Sequence, residues 1–553
     1  MAQKITMDKI LFVVPPNIQF DEFVNPPDNV KTVSKASGTF GSVITDIPLG
    51  ALSLSAYVKQ IAATQTRLLD FNVEINKLDR FEYGSFVEFY CSALTGPILK
   101  DFTPGIIAIS ALFTPTYYNM LDIARCCREI FPGALNVAGG GVPTNMYREI
   151  FRDCDCFDAL CYGEGERFLA GLVKADDKQQ YLEQCPSGIT KAKVENGQLF
   201  QHDFIVELDE IPFYDYDLLD TSGYGLNPTI SAYTSVQEKM NSVPVMTSRG
   251  CTHYCCFCSS HTVHGRSMRY HSLNRIRNDL QLLKDRYNVK TIVFQDDHFM
   301  SDKQRAYEIV EMLREFRLTA FFPNSLALYA LDRSMLEALK SVGVNQLVLS
   351  VESGSNRVLR EVMRKPLNLE IVKQVTDDCR DLGIYSDVNI LIGLPGETKQ
   401  DIEDTRTFLR SVHANWFRIN VATPLVGSEM FAVCVENKYL KGSYIDCNYK
   451  KAVVETEDFT VDYIQEVAYV MNLELNFIAN GDFRAGNFQT ALNGFENAIR
   501  AKHDHAIAHY CAARCYEKLC DFDKAQQYTS EANRIVAEIP YWRNFFDLFK
   551  IAL

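Results

Sequence analysis

Short β-rich apolar runs alternate with amphipathic helical stretches through the N-terminal third of the chain. Lys9–Val14, Thr66–Phe71, Gly105–Ser110, Leu135–Ala138 and Ala159–Tyr162 read as strands, with Ala51–Ala62 and Tyr118–Ile130 as helices between them. This alternation predicts an α/β domain over residues 1–185, built on a doubly wound parallel sheet. The turns after the strands, Pro15-Pro16-Asn17, Gly139-Gly140-Gly141 and Gly163-Glu164-Gly165-Glu166, are rich in Gly and Pro. Ligands of such sheets sit at the carboxyl ends of the strands, so these turns are expected to line a pocket.

Residues 186–240 show little periodicity and read as a linker. From 241 to 440 a strand-then-helix unit recurs. Its strands are Val243–Ser248, Thr291–Gln295, Ala320–Asn324, Gln346–Val351, Asp387–Ile392 and Phe417–Ala422, and its helices include Ser272–Tyr287 and Asp401–Val412. Such units suit a partial (β/α)6 barrel of TIM type, with its chemistry at the C-terminal strand ends. Residues 441–553 read as helical. Phe488 and Phe522, Ala491 and Ala525, and Ala498 and Ala532 are each 34 residues apart, the tetratricopeptide period. Two such repeats are too few to stand alone, so the tail is expected to pack on the barrel as a lid. Contact with a peptide or carrier protein is the alternative.

Composition narrows the picture. Of 553 residues, 47% are hydrophobic and 23% charged, enough for several cores. A formal net charge of −14 repels phosphate backbones, so nucleic acid is not an expected partner. No apolar run approaches the ~20 residues of a membrane span. The first apolar stretch, Ile10–Val14, is too short for a signal-peptide core, and a cytoplasmic protein is expected. In that setting most of the 17 cysteines are expected as buried small hydrophobes rather than disulfides.

Three cysteines are spaced differently. Cys251, Cys255 and Cys258 follow the first barrel strand in the string Ser248-Arg249-Gly250-Cys251-Thr252-His253-Tyr254-Cys255-Cys256-Phe257-Cys258. Three thiolates on one loop can ligate three irons of a cubane cluster and leave the fourth open. The alternative is a zinc site completed by His253, His261 or His264, in a protein-interaction module. Cys256 falls outside the spacing. Cys154, Cys156 and Cys161 lie close in sequence, but Cys161 falls in a predicted buried strand.

The triplet, with Phe257 before its last cysteine, resembles the radical S-adenosylmethionine (SAM) superfamily. Gly265-Arg266, Arg269-Tyr270, Phe294-Gln295-Asp296-Asp297-His298-Phe299, Ser350-Val351-Glu352-Ser353-Gly354-Ser355 and Leu391-Ile392-Gly393-Leu394-Pro395-Gly396-Glu397-Thr398 resemble its cobalamin-dependent methyltransferase subgroup, in the expected order. In the first domain so do Ile47-Pro48-Leu49-Gly50-Ala51-Leu52, Ile109-Ser110-Ala111, Ala138-Gly139-Gly140-Gly141 and Tyr162-Gly163-Glu164-Gly165-Glu166.

The resemblance implies a 4Fe–4S cluster on Cys251, Cys255 and Cys258, and SAM held by Phe257, Asp296, Ser350, Glu352, Ser353, Gly393, Leu394 and Pro395. It implies cobalamin over Pro16, Asn17, Ser110, Ala111, Leu112, Gly139, Gly140, Gly141, Gly163, Glu164 and Gly165. Two departures stand out. Gly139-Gly140-Gly141-Val142-Pro143 replaces a commoner Gly-Gly-Pro-His, and no histidine precedes His202, so a corrinoid without an imidazole ligand is expected.

The implied reaction begins with a 5′-deoxyadenosyl radical taking hydrogen from an unactivated carbon of a small molecule or natural product. That carbon then takes methyl from methylcobalamin. A flavodoxin or ferredoxin is the implied electron donor. Cyclisation or rearrangement, with or without cobalamin, is the alternative within the family. No catalytic residue is identified, although His298, Tyr117 and Tyr118 fall on turns that face the expected pocket.

Overall fold

The computed structural model describes residues 8–27, 32–220, 223–224, 242–445 and 451–552. The chain forms two compact units. Among the described residues, the first comprises 8–224, 242–252 and 259–283, and the second comprises 253–258 and 284–552.

The first unit holds a six-stranded sheet of β1 (Asp8–Val14), β2 (Thr64–Asp70), β3 (Ile106–Ser110), β4 (Leu135–Gly139), β5 (Ala159–Cys161) and β6 (Gly188–Ile189), in the order β2-β1-β3-β4-β5-β6. The first five are mutually parallel and β6 runs antiparallel to β5. Ile10, Phe12, Ile106 and Val137 pack with helical residues Val58, Leu169 and Leu172, as expected of parallel strands covered by helices.

Sequence reading placed a linker from 186, and the structure corrects this. Gly188–Ile189 is a strand of the sheet, and Thr190 caps the short helix that follows. Lys193 folds back and donates to the carbonyls of Leu182, Cys185 and Gly188 at 2.9, 2.7 and 2.8 Å. Two residues are too few to show a strand period. Residues 221–222 and 225–240 of the predicted linker lie outside the described residues. A hairpin of Thr32–Lys35 with Gly38–Gly41 also went unpredicted.

The six predicted barrel strands correspond to β7 (Ser242–Val245), β8 (Thr291–Phe294), β9 (Thr319–Phe321), β10 (Gln346–Glu352), β11 (Tyr385–Ile392) and β12 (Trp416–Val421). In the second unit β8 and β9 pair in parallel, and β10-β11-β12 form a parallel sheet. The division into units does not follow the predicted boundary at 241, because Ser242–Thr252 and Ser259–Leu283 cluster with the first unit.

The tail is helical, with its longest helices at Val461–Leu473, Phe488–Ala501, Ala506–Lys518 and Phe522–Glu538. Phe488 and Phe522 each open a helix, and Ala491 and Ala525 are buried. The tail seats on the edge of the barrel. Asn476 accepts from Phe417 N at 2.7 Å and donates to Phe417 O at 2.8 Å, so one amide stands in for a missing strand. Glu474 pairs with Arg406 and Arg410, and Asn415 donates to Asp482.

Candidate active site

The segment leading into the cysteine loop is held by buried charge. Arg249 lies 2.7 Å from Glu166 and 3.2 Å from Glu164. Arg269 reaches Glu164 at 2.5 Å and His264 reaches it at 2.8 Å, while Ser53 donates to Glu166. Burial alone would raise the Glu164 carboxyl, but the arginines and His264 hold it well below the carboxylate range. Gly250 has φ +94°, and a Cβ there would stand 2.4 Å from Ser267 O. This network explains why Ser242–Thr252 and Ser259–Leu283 join the first unit. It also corrects one expectation: the Glu164 side chain, assigned to cobalamin, is spent on Arg249, Arg269 and His264.

Cys251, Cys255 and Cys258 are half-buried. Cys251 N donates to Gly265 O, and Cys258 N to Cys255 O. Cys256 is buried, with its backbone bonded to Met363 and Met430 and its thiol pushed up to about 12 by burial. Among the described residues no three His, Cys, Asp or Glu side chains are gathered to hold a metal. His264 faces Glu164, and the His253 ring stands 4.7 Å from that of His298.

The second unit collects strained and unpartnered groups at its strand ends. β10 breaks register between Ser350 and Glu352, and Glu352 takes φ +68°, a left-handed conformation rare for a side chain of its size. Its carboxyl is raised by burial, against the pull of Lys365 at 3.7 Å. Asp296 is buried, and Asp297 keeps a buried oxygen without a hydrogen bond. After β11, Gly393 (φ +87°) and Leu394 donate to the Glu397 carboxylate at 2.6 and 3.2 Å. The other Glu397 oxygen has no partner, and burial pushes the group up to about 8. Glu397 belongs to the Leu391–Thr398 motif, whose sequence alone assigns it no role. Thr398 and Asp401 form the expected capping box.

Two SAM assignments need correction. The Ser353 hydroxyl is fully buried, paired with Thr405 and accepting from Ser355 N, and Leu394 is buried in the core. Phe257 and Pro395 remain half-buried. His298 Nε2 lies 2.8 Å from the Tyr329 hydroxyl, and burial pushes the imidazole down to about 4.

At the sheet's carboxyl ends the turns close on one another. Asn72 and Asn119 donate to Pro15 O and Pro16 O, and Asn17 donates its side chain to Ile44 O. Cβ atoms on Gly140 and Gly141 would stand 2.5 and 2.6 Å from Ala111 O and Leu112 O. The glycines thus bring the turn after β4 against the turn after β3, a packing reason the sequence did not reveal. Gly165 faces Leu54 and Gly163 faces His202. His202, in the predicted linker, stacks between Tyr162 and Phe204, with its Nδ1 buried and unbonded. An imidazole from the predicted linker therefore stands at this turn, held between two rings. Tyr117 is corrected too: it is fully buried, donating to Asp153. By contrast, Leu112 and Phe113 are 58% and 65% exposed, and Tyr118, in the first turn of the helix Tyr117–Ile130, is exposed too.

Residues 245–409 match the Radical SAM superfamily, and residues 45–173 match a B12 binding domain. The chain thus combines a radical SAM domain with a B12 binding domain. An uncharacterised methyltransferase of Pyrococcus horikoshii is 29% identical over 382 residues, covering 67% of this chain and 78% of the relative. Cytidylyl-2-hydroxyethylphosphonate methyltransferase of Streptomyces wedmorensis is 26% identical over 411 residues, covering 68% and 76%. The fold is similar to the cobalamin-dependent SAM radical enzyme OxsB, at TM-score 0.59 and 14% identity, covering 99% of this chain and 82% of that one.

The two domains imply a 4Fe–4S cluster, SAM and cobalamin as cofactors. The donor chemistry fits them. Three half-buried cysteines spaced Cys-x3-Cys-x2-Cys on one loop suit a cluster with an open corner, while most of the other cysteines are buried. The exposed Leu112 and Phe113 leave an apolar surface just after β3, at the end of the sheet where such folds take a ligand.

Proposed function

We propose that the enzyme methylates an unactivated carbon of a small organic molecule. The supporting observation is the pairing, in one chain, of a B12 binding domain with a radical SAM domain carrying Cys251, Cys255 and Cys258 on one loop. When bound, the cluster supplies an electron to SAM and the corrinoid supplies the methyl group.

The chain's own residues bind and orient. Cys251, Cys255 and Cys258 hold the cluster. Glu352, Ser350 and Asp296 receive the polar groups of SAM, and Phe257 with the Gly393–Pro395 backbone borders adenine. Leu112 and Phe113 carry the corrin face, with Pro16, Asn17, Ser110, Ala111, Gly139–Gly141, Gly163 and Gly165 shaping the turns around it. The seat of Asn476 on β12 favours a tail that closes the barrel over one that recruits a carrier protein. A flavodoxin or ferredoxin supplies electrons. Among the described residues no helix is long and apolar enough to cross a membrane.

The test is anaerobic reconstitution with SAM labelled in its methyl group and a panel of small phosphonates and indoles. Labelled methyl in product together with 5′-deoxyadenosine supports the reading. Product that gains a ring and no label points to cyclisation instead.

A further inference from the structure

Charge is unevenly spread around the cysteine loop. In a chain of net charge −14, the stretch from Arg357 to Lys365 carries Arg357, Arg360, Arg364 and Lys365 against Glu361 alone. It follows β10, and Arg364 turns the backbone with φ +53°. Arg360, Arg364, Lys365 and Asn368 line an open depression of about 630 Å³.

Two of these cations are committed inward. Arg357 pairs with the buried Asp401, and Lys365 lies beside Glu352. Arg360 and Arg364 face outward. Their partners, Glu361 and Glu429, are 51% and 55% exposed, so both pairs are weak and exchange readily for an outside carboxylate.

The depression is joined to the cysteine loop through the backbone. Met363, next to Arg364, accepts from Cys256 N at 3.0 Å, and Cys256 lies between Cys255 and Cys258. A protein seated on Arg360 and Arg364 is thus one hydrogen bond away from the segment that holds two cluster thiols.

We propose that this depression is the docking surface for the protein that delivers electrons to the cluster, an acidic one-electron carrier of the flavodoxin class. The proposal rests on the electron-driven function above. One electron leaves the reduced carrier and enters the oxidised cluster, and no bond is made or broken. Two acidic proteins repel overall, so a local cationic patch sets where they meet and how fast.

The test compares reconstituted wild type with the Arg360→Glu/Arg364→Glu double variant, using a reduced flavodoxin as probe. Flavodoxin affinity, read by fluorescence titration at low ionic strength, is expected to fall about tenfold, with a flatter salt dependence. Cleavage of SAM to 5′-deoxyadenosine is expected to fall alike when flavodoxin is the reductant and to stay unchanged with dithionite. Unchanged affinity and salt dependence overturn the proposal. So does an equal loss with dithionite, which would place the arginines' role at the site itself. Failure of wild type to cleave SAM with dithionite counts against the proposed function, and the binding titration still decides the docking.

Discussion

Each unit carries its candidate ligand-facing groups at the carboxyl ends of its own parallel strands, and the two equip them differently. At the carboxyl ends of β1 to β5 the turns are closed by protein: asparagines hold Pro15 and Pro16, and glycines press one turn onto another. What stays open is an apolar ledge, Leu112 and Phe113. At the ends of β8, β10 and β11 the polar groups stay unsatisfied or strained, as in Asp297, Glu352 and Glu397. A large ring needs shape and apolar area. A small zwitterionic sulfonium needs charge and directed hydrogen bonds. On the proposed reading, the same strand-end rule serves two ligands by opposite means.

The largest effect expected from breaking this contrast is at the cysteines. Cys255→Ala loses cluster iron and all SAM cleavage, whereas Cys256→Ala keeps both, as read by iron content and 5′-deoxyadenosine formation. Next is the charge network of the first unit. Arg249→Met leaves Glu164 and Glu166 without their shared cation, and should destabilise by about 3–5 kcal/mol in denaturant titration. Smaller is the ledge. Leu112→Ser with Phe113→Ser should weaken corrinoid binding by about 10-fold or more, given ~1.5–3 kcal/mol for a fully buried large apolar side chain. Cluster iron should be unaffected.

The smallest effect is a pH slope in the second unit. Burial raises the Glu397 carboxyl from 4.5 to about 8, so between those values the folded chain keeps a proton that the unfolded chain releases. Its contribution to stability is complete below pH 4.5, falls as pH rises, and is spent above about 8. Glu397→Gln should remove that slope, so the difference in Tm between wild type and variant should shift between pH 5 and pH 8.5 in favour of the variant at the higher pH.

Much of this was legible in the chain. Branched apolar runs located β1 and β10 to β12 within a few residues, and the cysteine spacing pointed to its loop. Partnerships between distant residues were not legible. Nothing near Glu164 announces Arg249 and Arg269, and nothing near Ser353 announces Thr405. The glycines of the turns were visible as a composition, but their neighbours, Ala111 O and His202, depend on how the sheet folds. Asn476 gave no signal because it replaces a strand with a single amide.

The most direct test is a count of metal and corrinoid on the anaerobically purified chain. About four irons and four sulfides, as one cubane requires, together with corrinoid absorbance, are predicted. A single zinc with no sulfide, or a complete cluster that never retains corrinoid, would contradict the account.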